Sequence, residues 1–198
     1  AALLTIGVNL VLTPMLPRGS FDQLASSELF LARQSLAAAA AFFMQFGIIG
    51  LHVARLGAVR SFEWVAFLVA MFGAAALFAT EWGQVFIVRD LALHAPDTLV
   101  SLEDAGDFTP FDIGALTAAS AFFLGWLLLA ISLLRSGRAR RLASLLVLAG
   151  FVMAPALSAA GLDGPLAIAG ASAIIGAGWL LLGLDLARGR FAAPGGAP

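Results

Sequence analysis

Four charged residues lie near the start of the second long apolar stretch of the chain or near the end of the third. Arg33 lies near the start of the second apolar stretch, and Glu81 lies near the end of the third. If these stretches form an antiparallel helical hairpin, Arg33 lies within one turn of the depth of Glu81, and Glu28 lies level with Arg89. The spacing therefore predicts two ion pairs across the hairpin, Arg33 with Glu81 and Glu28 with Arg89. Neither residues 20–33 nor residues 83–94 contain proline, so we expect both helices to continue outward through these charges.

Two interpretations of the predicted pairs remain open. They clamp the hairpin at the membrane surface, or they wall an outward-facing polar pocket with Gln84, Asp90 and His94 nearby. Towards the middle of the membrane the candidate polar residues are uncharged, namely Gln45 and Asn9. A carrier coupled to protons or sodium normally places a carboxylate at that depth. The sequence therefore argues against a pump.

Other chemistries lack the residues that they require. The chain has no Cys and no Lys, so thiolate metal sites, cysteine nucleophiles and Schiff bases are excluded. His52 and His94 fall at opposite ends of the predicted hairpin and could not ligate one iron. No Gly-x-Ser-x-Gly motif is present. A net charge of −1 offers no basic patch for nucleic acid. We therefore predict no cofactor, no metal and no enzymatic activity.

Composition places these residues in a membrane. Hydrophobic residues make up 61% of the 198 residues, charged residues 12%, and mean hydropathy is +0.99. A soluble domain is normally about half apolar and about a quarter charged. We predict an all-α, polytopic transmembrane helical bundle that forms a single domain over 1–198. About six stretches are long enough to cross a bilayer, at roughly 1–16, 29–54, 62–82, 111–134, 142–161 and 165–187.

Arginine placement predicts the orientation of the bundle. The connections after the second and fourth spans carry arginines, as does the tail, whereas the connection after the third span is acidic. Cytoplasmic loops collect Lys and Arg, so both termini are predicted to be cytoplasmic. The first apolar stretch lacks the basic start of a signal peptide and is expected to be a span. The abundance of Ala, Leu, Gly and Arg without Lys is typical of GC-rich bacteria, which predicts a bacterial inner membrane.

An internal repeat is indicated at an offset of 80 residues. Ala41-Phe42-Phe43 then falls on Ala121-Phe122-Phe123, and the loop residues Arg55, Gly57 and Arg60 fall on Arg135, Gly137 and Arg140. The second and third spans therefore look like a copy of the fourth and fifth. Because the offset is two spans, the two hairpins share one orientation, which predicts a parallel repeat.

Small residues in the last span indicate close helix packing. Gly170, Gly176 and Gly178 alternate with Ala, and Ser172 stands four residues before Gly176 in a small-xxx-small step. Such steps let helix backbones approach closely, either within one chain or in a homodimer.

Apolar motifs give a family resemblance. The stretch Phe122–Leu127 (FFLGWL), the arginine-rich turn at 135–141 and the stretch Gly176–Gly183 (GAGWLLLG) resemble those of small multi-span bacterial membrane proteins of unknown function. The resemblance implies the topology and carries no catalytic residue. The leading hypothesis is a non-enzymatic accessory, scaffold or sensing subunit that binds lipid or a partner protein. The alternative is a small facilitator or transporter that uses the pocket near Arg33 and Glu81.

Overall fold

The computed structural model describes residues 1–55, 61–104, 110–137, 140–161 and 165–191. These residues form helices and, within the described ranges, no β-strand. The predicted all-α class is therefore confirmed. The helices are α1 (Ala2–Met15), α2 (Phe21–Ser26), α3 (Glu28–Val53), α4 (Ser61–His94), α5 (Pro96–Asp104), α6 (Pro110–Ser136), α7 (Arg141–Ala159) and α8 (Pro165–Ala187).

Four of these helices are long and apolar enough to cross a membrane. They are α3, α4, α6 and α8, which are also the four longest helices in the described part of the chain. Helix α1 is apolar but shorter than a straight span, whereas α7 is apolar and, with 19 residues, lies near the lower limit for one. The structure thus supports a membrane-embedded helical bundle with four candidate spans.

Helices that follow one another along the chain are neighbours in space. Contacts run from α3 to α4, then α6, α7 and α8, and α1 closes the ring by touching both α3 and α8. Because successive long helices are antiparallel, the charged residues separate to two ends. We call the end with Glu28, Arg33, Glu81 and Asp90 the acidic end. The other, which holds Arg55, Arg135, Arg140, Arg141, Arg188 and Arg190, is the arginine-rich end.

Glycines allow α4 and α6 to pack backbone against backbone. A Cβ added to Gly73 would lie 2.5 Å from the Phe122 backbone, and one added to Gly125 would lie 2.5 Å from Ala70 Cα. Real side chains essentially never approach so closely, so any larger residue at either position would force the helices apart. This close contact holds α4 and α6 together as neighbours in the ring.

The interior between the two ends is filled by large apolar side chains. Trp126 and Trp179 lie with ring centroids 4.9 Å apart, and Phe151 packs 6.2 Å from Trp179. Leu129 and Val147 are fully buried beside them. Such tilted contacts between aromatic rings add to the hydrophobic gain of burial.

One expected helix continuation fails and the other is present. Helix α3 begins at Glu28, because Ser27 has an extended backbone and its hydroxyl accepts a hydrogen bond from Phe30 N at 3.1 Å. A serine in this role is a strong N-cap, which separates α2 from α3. Helix α4, in contrast, continues through a π-helical turn at Gln84–Val88 to His94. Helices α2 and α5 then pack beside it in a second small apolar core of Ala25, Phe30, Val88, Ala92 and Leu99.

Candidate functional site

The charged pair Arg33 and Glu81 lies at the centre of a polar cluster near the acidic end. Arg33 Nη1 lies 3.5 Å from Glu81 Oε2, and the two side chains are 22% and 13% exposed. Glu81 Oε2 is buried and accepts no hydrogen bond from any described residue. The structure therefore brings together the two residues of the first expected pair, in a contact that is electrostatic without an aligned hydrogen bond.

Uncharged side chains extend this cluster across three helices. Arg33 donates a hydrogen bond to Gln34, and the Gln34 amide donates to Gln84. Arg33 Nε also donates to Thr13 Oγ1 on α1, at 3.3 Å. Gln34 is only 1% exposed, so its amide groups must find partners inside the protein. Thr13, Arg33, Gln34 and Gln84 are thus linked by hydrogen bonds, which tie α1, α3 and α4 together.

Two π-helical turns position the members of this cluster. The turn Val8–Leu12 precedes Thr13, whose hydroxyl donates to Val8 O at 3.0 Å, and the turn Gln84–Val88 begins with Gln84 itself. A π-turn inserts one extra residue into the helix and rotates the residues after it, and such turns are frequent at functional sites. Sequence reasoning missed Thr13, since no pattern shows where a π-turn rotates the helix face. It also missed Gln34, whose hydrogen-bond partner Gln84 begins the second π-turn.

The second expected pair lies nearer the acidic end, and its glutamate is far more exposed than Glu81. Arg89 Nη2 lies 2.5 Å from Glu28 Oε1, and Arg89 Nη1 donates to Ser27 O at 2.7 Å. The Arg89 side chain is 12% exposed and that of Glu28 is 84% exposed. The arginine therefore also caps the junction between α2 and α3.

The remaining predicted polar residues do not join the cluster. His94 Nδ1 lies 3.0 Å from Asp90 Oδ1 on the same exposed helix face. Asn9 and Gln45 are half-buried. Among the described residues, no hydrogen bond or ion pair links any of these four residues to Arg33 or Glu81.

A second charged cluster at the arginine-rich end was not predicted. Asp185, in the last turn of α8, is 1% exposed, and its Oδ1 lies 3.0 Å from both Arg140 Nε and Arg190 Nη1. Its Oδ2 is buried without a partner among the described residues. Phe191, next to Arg190, is 1% exposed and belongs to the main core. One carboxylate thus joins α7, α8 and the segment after α8.

Residues near this end bury two further polar side chains. Arg55 is 3% exposed and donates from Nε to Leu51 O at 2.9 Å and from Nη1 to Ser132 Oγ at 3.0 Å. His52 stacks on Phe67 with ring centroids 4.0 Å apart, and Trp64 meets it edge-on. The expected absence of a haem or metal site stays a prediction, as does the absence of any cofactor.

The small residues of α8 pack within the chain at two of the four predicted positions. A Cβ added to Gly176 would meet Ile6 of α1, and one added to Gly178 would meet Val147 of α7. Gly170 is exposed with open space around it, and Ser172 is half-buried. Gly176 and Gly178 therefore pack against helices of the same chain, so they are not free to form a homodimer contact.

Some sequence-based assignments fall outside the described residues. They concern the loop residues Gly57, Arg60, Arg138 and Asp107, on which part of the repeat and of the loop charge asymmetry rests. Comparison with protein-family models, curated proteins and solved structures found no match for this chain. The functional interpretation of the two charged clusters and of the apolar interior between them therefore depends on the geometry of this chain alone.

Proposed function

We propose that this chain is a non-catalytic, multi-span membrane protein that binds lipid or another membrane protein as an accessory, scaffold or sensing subunit. The observation that carries the proposal is the apolar, aromatic packing between the two charged clusters. At each end the charged groups engage one another, and between them Trp126, Trp179 and Phe151 fill the space. Transport of a polar solute needs a solvated route past this layer.

The lipid-facing surface supplies the binding area in this proposal. Large apolar side chains are exposed along α3, α4, α6 and α8, among them Phe46, Phe72, Leu116 and Leu184. In water so many exposed apolar residues would drive aggregation, whereas in a bilayer they face acyl chains or the helices of a partner.

The topology that goes with this function has six spans. Helices α1 and α7 are short, but both lie in the same ring as the four longer helices. A bilayer accommodates shorter spans by local thinning. The arginine-rich end faces the cytoplasm of a bacterial inner membrane in this proposal, with both termini on that side. The parallel repeat belongs to the same proposal, with α3–α4 and α6–α7 as its two hairpins.

Co-purification tests the proposed function. We expect the protein, extracted in a mild detergent, to retain a stoichiometric lipid or protein partner, detectable by native mass spectrometry. We expect the same preparation in liposomes to add no flux of small polar solutes above that of empty liposomes. Solute flux that is lost in Glu81→Gln would contradict the proposal and favour a transporter.

A facilitator with an outward polar pocket is the second candidate. It is favoured by one observation, the buried Glu81 Oε2 that accepts no hydrogen bond from a described residue. A site that exchanges a polar ligand would leave such an atom ready to accept a bond. Binding of a polar solute that protects Glu81 from carbodiimide modification would support this candidate.

A further inference from the structure

We propose that an apolar groove between α3 and α8 binds one anionic phospholipid, whose acyl chain occupies the groove and whose phosphate contacts Arg188. This inference rests on the proposed lipid-binding function and names the class of lipid. It draws on the shape of the groove, on its lining and on the charge at its mouth.

The groove has a volume of about 660 Å³ and lies towards the arginine-rich end. Phe43, Gly47 and Leu51 line it from α3 at spacings of four residues, and Leu180 and Leu184 line it from α8. The first turn of α1 and the rings of Trp126 and Trp179 complete the lining, which contains no charged side chain. Such a lining accepts a hydrocarbon chain and rejects a polar solute.

Open space at two glycines gives the groove its width. A Cβ added to Gly47 or to Gly183 would meet no atom within 4 Å. These glycines therefore differ from Gly73 and Gly125, where a neighbouring helix occupies the space that a Cβ would take. Larger side chains at Gly47 and Gly183 would enter the groove without disturbing a packed contact, which makes them suitable positions for blocking it.

An exposed arginine lies one helical turn beyond the lining of the groove. Arg188 is exposed, and its backbone N–H donates to Leu184 O at 3.1 Å, which places it one helical turn beyond a lining residue. The Asp185 cluster at the same end of the bundle, where Arg140 and Arg190 share one carboxylate oxygen, also has one positive charge in excess. Cations at the cytoplasmic end of membrane helices attract the phosphates of anionic lipids.

Lipid competition tests the site in the intact chain. The protein is reconstituted in nanodiscs with equal amounts of phosphatidylglycerol and phosphatidylcholine, and the retained lipid is counted by native mass spectrometry after release. We expect phosphatidylglycerol to be retained in preference. Arg188→Gln should lower that preference about fivefold, which corresponds to about 1 kcal/mol for one cation near the surface. Arg188→Lys should restore it, and Gly47→Leu with Gly183→Leu should remove the bound lipid.

Matched variants separate the site from general effects. Arg141→Gln removes an exposed cation at the same end but on α7, a helix that contributes no residue to the lining, and Gly170→Leu fills open space elsewhere on α8. Neither should change lipid retention. Equal retention of both lipids, or an equal effect of Arg141→Gln, would overturn the inference and leave the proposed function standing. If the unaltered protein retains a polypeptide and the glycine variants lose it, the inference is likewise overturned and the proposed function stands. Retention of neither lipid nor protein would overturn both.

Discussion

The two charged clusters solve the burial of charge in different ways. At the acidic end, one arginine and one glutamate face each other at 3.5 Å and share their surroundings with amides and a hydroxyl. At the arginine-rich end, a single oxygen of Asp185 accepts from two arginines at 3.0 Å. The first cluster joins the outer parts of three helices, and the second joins two helices and the segment after α8.

The charged groups of the two clusters differ in how much they depend on one another. Asp185 is 1% exposed, whereas Arg140 and Arg190 are 39% and 46% exposed, so the aspartate depends on its partners for solvation and they do not depend on it. Arg33 and Glu81 are both largely buried and depend on each other. Removal of one member should therefore have unequal consequences at the two ends.

The largest effect is expected from Asp185→Asn. This change removes the charge that holds Arg140 and Arg190, and we expect the free energy of unfolding to fall by about 2–3 kcal/mol, less than for a fully buried pair because both arginines can rehydrate. Urea or SDS unfolding in detergent measures the change. Asp90→Asn, which alters a carboxylate that is 70% exposed, is the matched control and should change stability little. Equal losses in the two variants would show that Asp185 has no special role.

An intermediate effect is expected at Arg33 and Glu81. A double-mutant cycle with Arg33→Ala and Glu81→Ala should give a coupling free energy of about 1–2 kcal/mol, because both groups are partly shielded from water and lie in one network. Thermal unfolding of the four proteins under identical detergent conditions provides the measurement. Absence of coupling would contradict the pairing of Arg33 with Glu81.

The smallest effect is expected at Glu28 and Arg89. Because Glu28 is 84% exposed, the same kind of cycle should give a coupling of less than about 1 kcal/mol. High salt should reduce this coupling further and should leave that of Arg33 and Glu81 nearly unchanged, since buried pairs are screened less. A reversed salt response would contradict the difference in burial between the two pairs.

Contacts within the hairpin could be predicted from the sequence, whereas contacts between helices that are distant along the chain could not. Arg33 and Glu81 could be placed together because depth along two adjacent antiparallel helices follows from residue counting. The cluster at Asp185 involves the ends of α7 and α8 and a backbone reversal before Phe191, which counting does not give. Its signal was a lone carboxylate among arginines near the end of an apolar helix. Likewise, the absence of proline from residues 20–33 does not exclude a helix break, because Ser27 can cap a helix that starts at Glu28.

The bundle is expected to be closed to water between its two charged clusters. Cysteine accessibility measures this, because the chain contains no native cysteine. Single cysteines are placed at the two exposed ends, by Asp90→Cys and Arg188→Cys, and at two fully buried interior positions, by Leu129→Cys and Val147→Cys. A membrane-impermeant maleimide is then applied to sealed vesicles of each orientation. We expect the two end positions to react from opposite sides and the interior positions to react from neither. Reaction at Leu129→Cys or Val147→Cys in the folded protein would reveal a solvated interior, and it would contradict a bundle that is closed between its two charged clusters.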